Sequence, residues 1–171
     1  MNAMVIHAKH VHIHATPSLA SQEGSFQLLG GVKLSIAPPR FELHESGLVV
    51  TDNHTGLMWP VHESEKLHTF DESEAFAANL QLAGFGEWFN PSLEQRESIR
   101  DLKRFNPALF EPLKSRSNSW EWTSEPCAWS YEAGVPRAFW QVSGSLGGVG
   151  SVSRDGKAFS RPCRFVARPG Q

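Results

Sequence analysis

The stretch from Val49 to Trp59 constrains the fold of this chain more than any other. Val49, Val50 and Thr51 are β-formers. Asp52-Asn53-His54-Thr55-Gly56 follows, rich in residues that tolerate positive φ or bond their own backbone. Leu57, Met58 and Trp59 then return as an apolar strand. The pattern predicts two antiparallel strands and a tight turn, and a hairpin this apolar needs cover from further elements.

Other local signals place those elements. Phe41 to His44 reads as a preceding strand, turned by Glu45-Ser46-Gly47. Thr69 and Glu72 have the spacing of a capping box, as do Ser92 and Gln95, with Pro91 setting the entry. Two helices are therefore predicted. Phe105 to Ser119 is loop-rich, and residues 120–168 read as short strands joined by glycine turns. The expected class is α+β, two helices with an antiparallel β-sheet. Residues 1–39 read as a β-rich arm, with a hairpin around Gly30-Gly31 and a stiff Pro38-Pro39 joint. The arm is too short for its own core, so its expected role is docking to other subunits, with residues 40–171 as the domain proper.

The blocks at 49–59, 69–80, 84–92, 106–124 and 140–166 resemble, in the same order, those of a bacterial domain family of largely unknown function. That family includes the C-terminal domain of collagen-like surface adhesins (Lcl). The resemblance covers roughly residues 40 to 167 and implies a C-type-lectin-like fold. This chain also departs from the family. Phe89 replaces a usual Arg, and Arg96 stands where an apolar Leu is usual. Ala77 occupies the place of a helix cysteine, so the disulfide that the resemblance implies between helix and last strand cannot form.

Composition excludes several classes. There is no apolar run of about eighteen residues, so no membrane-spanning helix is predicted. Nothing resembles a nucleic-acid motif. Six Trp and eleven Phe accompany a single Tyr, and core packing accounts for most of them. Residues 40–112 carry six Lys/Arg and thirteen Asp/Glu (6 − 13 = −7), whereas residues 113–171 carry eight and four (8 − 4 = +4). The positive excess either attracts an anionic glycan or simply offsets the acidic part. Cys127 and Cys163 either form one disulfide or stay as two buried thiols.

Candidate chemistry is sparse. Gly144 to Gly150 lacks the Lys-Ser/Thr of a phosphate loop and reads as a connection between strands. Glu63, Glu65 and Glu72 read as solvated faces and caps. No nucleophile elbow or paired-cysteine site is present. Formylglycine-generating enzymes share the broader lectin-like fold, but Cys127 and Cys163 form no recognisable catalytic pair, so no enzyme is expected. Glu125-Pro126-Cys127 is the nearest string to a calcium-lectin loop, and a thiol is no substitute for the hard oxygen ligand of Ca²⁺. No cofactor is therefore expected, except a transition metal at His10, His12 and His14. These share one side of a strand and could close a site between the chains of a trimer. The alternative is a plain polar face.

Gln141, Ser143, Ser151, Ser153, Arg154 and Lys157 are the expected ligand-binding positions, pointing outward from the late strands while Trp140 and Val142 point inward. No secretory signal is legible in residues 1–20, which four histidines interrupt. An adhesion domain without an export address fits a phage virion protein, released by lysis. The sequence thus points to a non-catalytic receptor-binding or adhesion module on a phage tail or similar assembly. It would be homotrimeric, docked to other tail subunits through residues 1–39, and would bind a cell-surface polysaccharide or protein receptor. The alternatives are a structural or decoration virion protein and an extracellular, cell-surface adhesin.

Overall fold

The computed structural model describes residues 25–27, 33–35 and 38–166. Two units are distinguished, with the boundary after Pro38. In the first, β1 (Ser25–Gln27) pairs antiparallel with β2 (Lys33–Ser35), and the Gly30-Gly31 pair lies outside the described residues. His10, His12 and His14, and with them most of the arm, lie outside the described residues.

The second unit is α+β, with two helices and antiparallel sheets. Its first sheet has the order β11-β5-β4-β3, from β3 (Phe41–Leu43), β4 (Val49–Asp52), β5 (Leu57–Pro60) and β11 (Arg164–Phe165). The β4–β5 hairpin has the register Val49 opposite Pro60 and Asp52 opposite Leu57. Its turn closes as its residues dictate. The Asp52 carboxylate accepts from the His54 amide at 3.0 Å, and Gly56 supplies a φ of 71° that a side chain would resist. Asp52 is fully buried and takes both Nε and Nη2 of Arg40 at 3.1 and 3.0 Å.

Both faces of this hairpin are covered. Val50, Leu57 and Trp59 pack with Ile99, Leu109, Leu113 and Cys163 in one cluster. Val49 and Met58 pack with Trp88 in another. Burying side chains of this size stabilises the fold by about 1.5–3 kcal/mol each.

Helices α1 (Phe70–Asn79) and α2 (Leu93–Ser98) both begin with complete capping boxes. In α1 the Thr69 hydroxyl accepts from the Glu72 amide at 3.3 Å while Glu72 accepts from the Thr69 amide at 2.8 Å. Helix α1 buries Phe70, Ser73 and Ala77, one face at helical spacing. Asn90 joins Ser73 of this helix to Ser160, by side-chain hydrogen bonds to both.

The second sheet has the order β10-β9-β6, from β6 (Trp120–Pro126), β9 (Ala138–Ser143) and β10 (Val149–Ser153). One face carries Trp122 and Phe139 against Phe70 of α1, with the Phe70 and Phe139 rings stacked 3.5 Å apart. The other carries Glu121 and Val142, and α2 packs over it.

A buried charge network ties these parts together. Arg96, Glu121 and Arg161 are fully buried and Glu63 nearly so. Arg161 Nε donates to Glu121 at 2.9 Å, and Nη1 donates to the Pro60 and Val61 carbonyls, both at 2.9 Å. Its Nη2 reaches Glu63 at 2.9 Å, Glu121 at 3.2 Å and the Lys114 carbonyl. Arg96 adds one bond, Nε to Glu121 at 2.7 Å. Burial pushes the Glu121 carboxyl up, but Arg161 and Arg96 outweigh it and hold the group below the usual carboxylate range. Glu63 is thus a core ion-pair partner, not the solvated face that the sequence suggested. Glu65 is exposed and Glu72 caps, as read.

Cys127 and Cys163 are both free and buried, so no bridge joins them. Burial pushes both thiols up.

Candidate functional site

After β6 the chain turns through Cys127 to Ser130 into a short hairpin, β7 (Tyr131–Glu132) and β8 (Val135–Pro136), before β9. The Ser130 hydroxyl fastens its base: it donates to the Cys127 carbonyl at 2.8 Å and accepts from the Ala138 amide at 3.1 Å. Ala133 and Gly134 turn the tip with φ of 49° and 80°. The Arg154 amide bonds the Arg137 carbonyl at 2.8 Å, tying the hairpin to the end of β10.

Between hairpin and β10 lies a groove of about 440 Å³, lined by Trp129, Ser130, Tyr131, Arg137, Ser151 and Ser153. Trp129 is 70% and Tyr131 52% exposed. Both rings line the same groove, unlike a surface aromatic that stands alone. The groove combines two flat apolar rings, two exposed serine hydroxyls and a guanidinium. Nε of Arg137 is engaged with Glu132 at 2.9 Å in an exposed pair, which a competing anion displaces at little cost.

The structure divides the six sequence-predicted ligand positions. Ser151 and Ser153 are exposed and line this groove. Gln141 and Ser143 face the other way. In the strand register Gln141 lies opposite Trp122 and Ser143 opposite Trp120, on the face that packs against α1. A Cβ on Gly150 would meet the Trp120 ring at 3.1 Å and the Gln141 amide at 3.7 Å, which places Gln141 beside that ring. Ser143 is 1% exposed, and its hydroxyl holds the following turn by accepting from the Leu146 amide at 3.0 Å.

Arg154 is committed to Asp71 of α1, with Nε at 3.1 Å and Nη2 at 2.6 Å from the same carboxylate oxygen. Lys157 is exposed in the turn beyond β10. The six positions therefore do not share one exposed face. Both faces of the sheet are covered near β9, so alternation there does not separate core from solvent. Val142 is buried as predicted, but Trp140 is only half-buried and shares its face with Ser151.

Trp129 and Arg137 escaped the sequence reading. The available signal was the Trp129-Ser130-Tyr131 cluster between a strand and a glycine turn. Gly144 to Gly150 is, as read, a connection between strands, with the Gly147 amide bonded to the Ser143 carbonyl and the Ser143 amide to the Gly148 carbonyl. In Glu125-Pro126-Cys127, Glu125 is exposed while Cys127 is fully buried. Among the described residues no group of three His, Cys, Asp or Glu side chains gathers in a metal-binding arrangement. No helix among them is long and apolar enough to cross a membrane.

The family model described as the Lcl C-terminal domain matches residues 48–166, well over half of the chain, and the chain belongs to that family. No curated protein and no solved structure matches it.

Proposed function

From membership of the Lcl C-terminal domain family, we propose that this protein is a non-catalytic adhesion module with a C-type-lectin-like fold, and that its ligand is a cell-surface glycan. The observation that carries the reading is the exposed pair Trp129 and Tyr131 lining one groove with Ser151 and Ser153. A sugar ring has an apolar C–H face that stacks on the negative face of an aromatic ring, and hydroxyl edges that need hydrogen-bond partners. The groove offers both within about 440 Å³. Arg137 adds a donor for a carboxylate or sulfate on the sugar. Two helices with antiparallel sheets support the fold assignment. Display on a phage tail or similar assembly, as a trimer docked through residues 1–39, belongs to the same proposal.

The test is a binding isotherm on whole cells with Trp129→Ala and Tyr131→Ala, alongside melting curves. Each substitution should weaken attachment by about tenfold, the size of one lost stacking contact. Unchanged attachment with unchanged melting would exclude the groove.

A further inference from the structure

A second cavity, of about 530 Å³, shares no lining residue with the β10 groove. Its size falls within the range of small-molecule sites, about 300–1,000 Å³. The apolar lining comes from Leu48, Pro60, Phe76, Leu80, Leu82 and Pro162. One rim is the segment from His62 to His68, and backbone ladders hold it in place. The Ser64 amide bonds the Ser160 carbonyl at 2.7 Å, and His68 and Ala158 exchange bonds at 2.8 and 3.0 Å. A site so braced needs little ordering when a ligand arrives.

The polar groups on this rim are unequal. Glu63 is spent, one oxygen on Arg161 Nη2 and the other on the Arg116 amide, each at 2.9 Å. Lys66 is the one Lys or Arg of the rim, with the His62 and His68 rings beside it, and Glu65 is its second carboxylate. Among the described residues no carboxylate lies within ion-pair distance of Lys66. The His68 ring stacks on Phe76 with centroids 4.9 Å apart and planes 30° from parallel, which gives the cavity a flat aromatic wall. The site is thus apolar within and basic along one edge.

We propose that this cavity binds a small amphipathic carboxylic acid, with a flat apolar body against Phe76, Leu80 and Leu82 and its carboxylate toward Lys66, His62 and His68. The inference goes beyond the glycan reading and does not depend on it.

The experiment titrates the full chain calorimetrically with 2-naphthoate and with 2-naphthamide, which keeps the apolar body and removes the charge. Naphthoate should saturate one site, with the amide at least about tenfold weaker, the size of one charge-assisted contact. Lys66→Gln, at an exposed position, should cut that preference to about threefold or less without moving the melting curve. Leu82→Trp should abolish binding of both probes by filling the cavity. Trp129→Ala should leave naphthoate binding unchanged, which separates this site from the groove. Absence of saturation by about 5 mM naphthoate overturns the proposal. Equal affinity for acid and amide overturns it too, as does a preference that stays at about tenfold in Lys66→Gln.

Discussion

Replacing Arg161 should damage this fold far more than replacing Arg96, although both are fully buried and both touch Glu121. The four ionised groups Arg96, Arg161, Glu63 and Glu121 sum to zero charge. Removing either arginine leaves the same excess of one negative charge, so the difference between the variants isolates their hydrogen bonds. All three Arg161 nitrogens are engaged, with two carboxylates and three backbone carbonyls. Arg161→Met strands all of these acceptors, and breaking a buried pair costs about 3–5 kcal/mol. Arg96 bonds only through Nε, and its Nη1 and Nη2 have no hydrogen-bond partner among the described residues. Arg96→Leu loses one charge-assisted bond, about 1.5–3 kcal/mol, but removes two buried orphan donors that each cost about 1–3 kcal/mol. Glu121 keeps both Arg161 bonds. The expected net cost is therefore below about 2 kcal/mol, and the two variants should differ by about 2–3 kcal/mol. Urea unfolding followed by near-ultraviolet circular dichroism measures both, with unchanged slopes confirming comparable unfolding. Total stability of about 5–15 kcal/mol leaves Arg161→Met marginal, so Arg161→Lys serves as a milder second variant. It should fall between the other two, because lysine keeps the charge and loses the fork. Equal cost at Arg96 and Arg161 would refute the reasoning.

Acid should destabilise the domain in two stages. Burial pushes His68 below its ordinary value, so between its folded pKa and about 6.5 the unfolded chain binds a proton that the folded one does not, and stability falls as pH drops through that window. His68→Gln should flatten this first decline in a series of melting temperatures. A steeper loss should follow below about pH 4. Burial raises the Asp52 carboxyl, but Arg40 and the turn bonds outweigh it and leave it lowered, as Arg161 and Arg96 leave Glu121, so their stabilisation is lost as pH falls through their folded values. Gly144→Ala should lower the urea midpoint, by about 1–3 kcal/mol of stability, because the added Cβ would press on the Ser115 hydroxyl and sit 2.6 Å from Glu121 Oε1, which Arg161 Nη2 holds. Attachment to cells should survive EDTA, and loss restored only by Ca²⁺ would contradict the reading of Glu125-Pro126-Cys127.

The legible parts of this fold were those in which cause and effect lie within a few residues. The Asp52–Gly56 turn and both capping boxes follow from side chains that bond backbone two or three positions away, and the structure contains all three. Neither face of β9 could be read that way. Which of Gln141 and Val142 meets solvent depends on α1 lying over one side and α2 over the other, elements 40 to 70 positions distant. Glu63 looked solvated for the same reason, because its partner Arg161 lies 98 positions later. The groove was half legible. Ser151 and Ser153 were named from alternation, while Trp129 and Arg137 reach it only through the return of the β7–β8 hairpin against β10.

The departures from the family pattern gain a physical meaning from the same network. A disulfide from the helix to the last strand would fasten the C-terminal segment covalently, and Ala77 removes that option while Cys163 stays a buried thiol. Two residues before Cys163, Arg161 fastens the same segment to Pro60, Val61, Glu63, Lys114 and Glu121. Arg96, where the family favours leucine, offsets the second carboxylate of that hub. The last segment is therefore held by charge and geometry. Such a fastening is indifferent to reductants and weakens once the Glu121 carboxyl is protonated, which ties the acid limb of stability to the segment bearing β11.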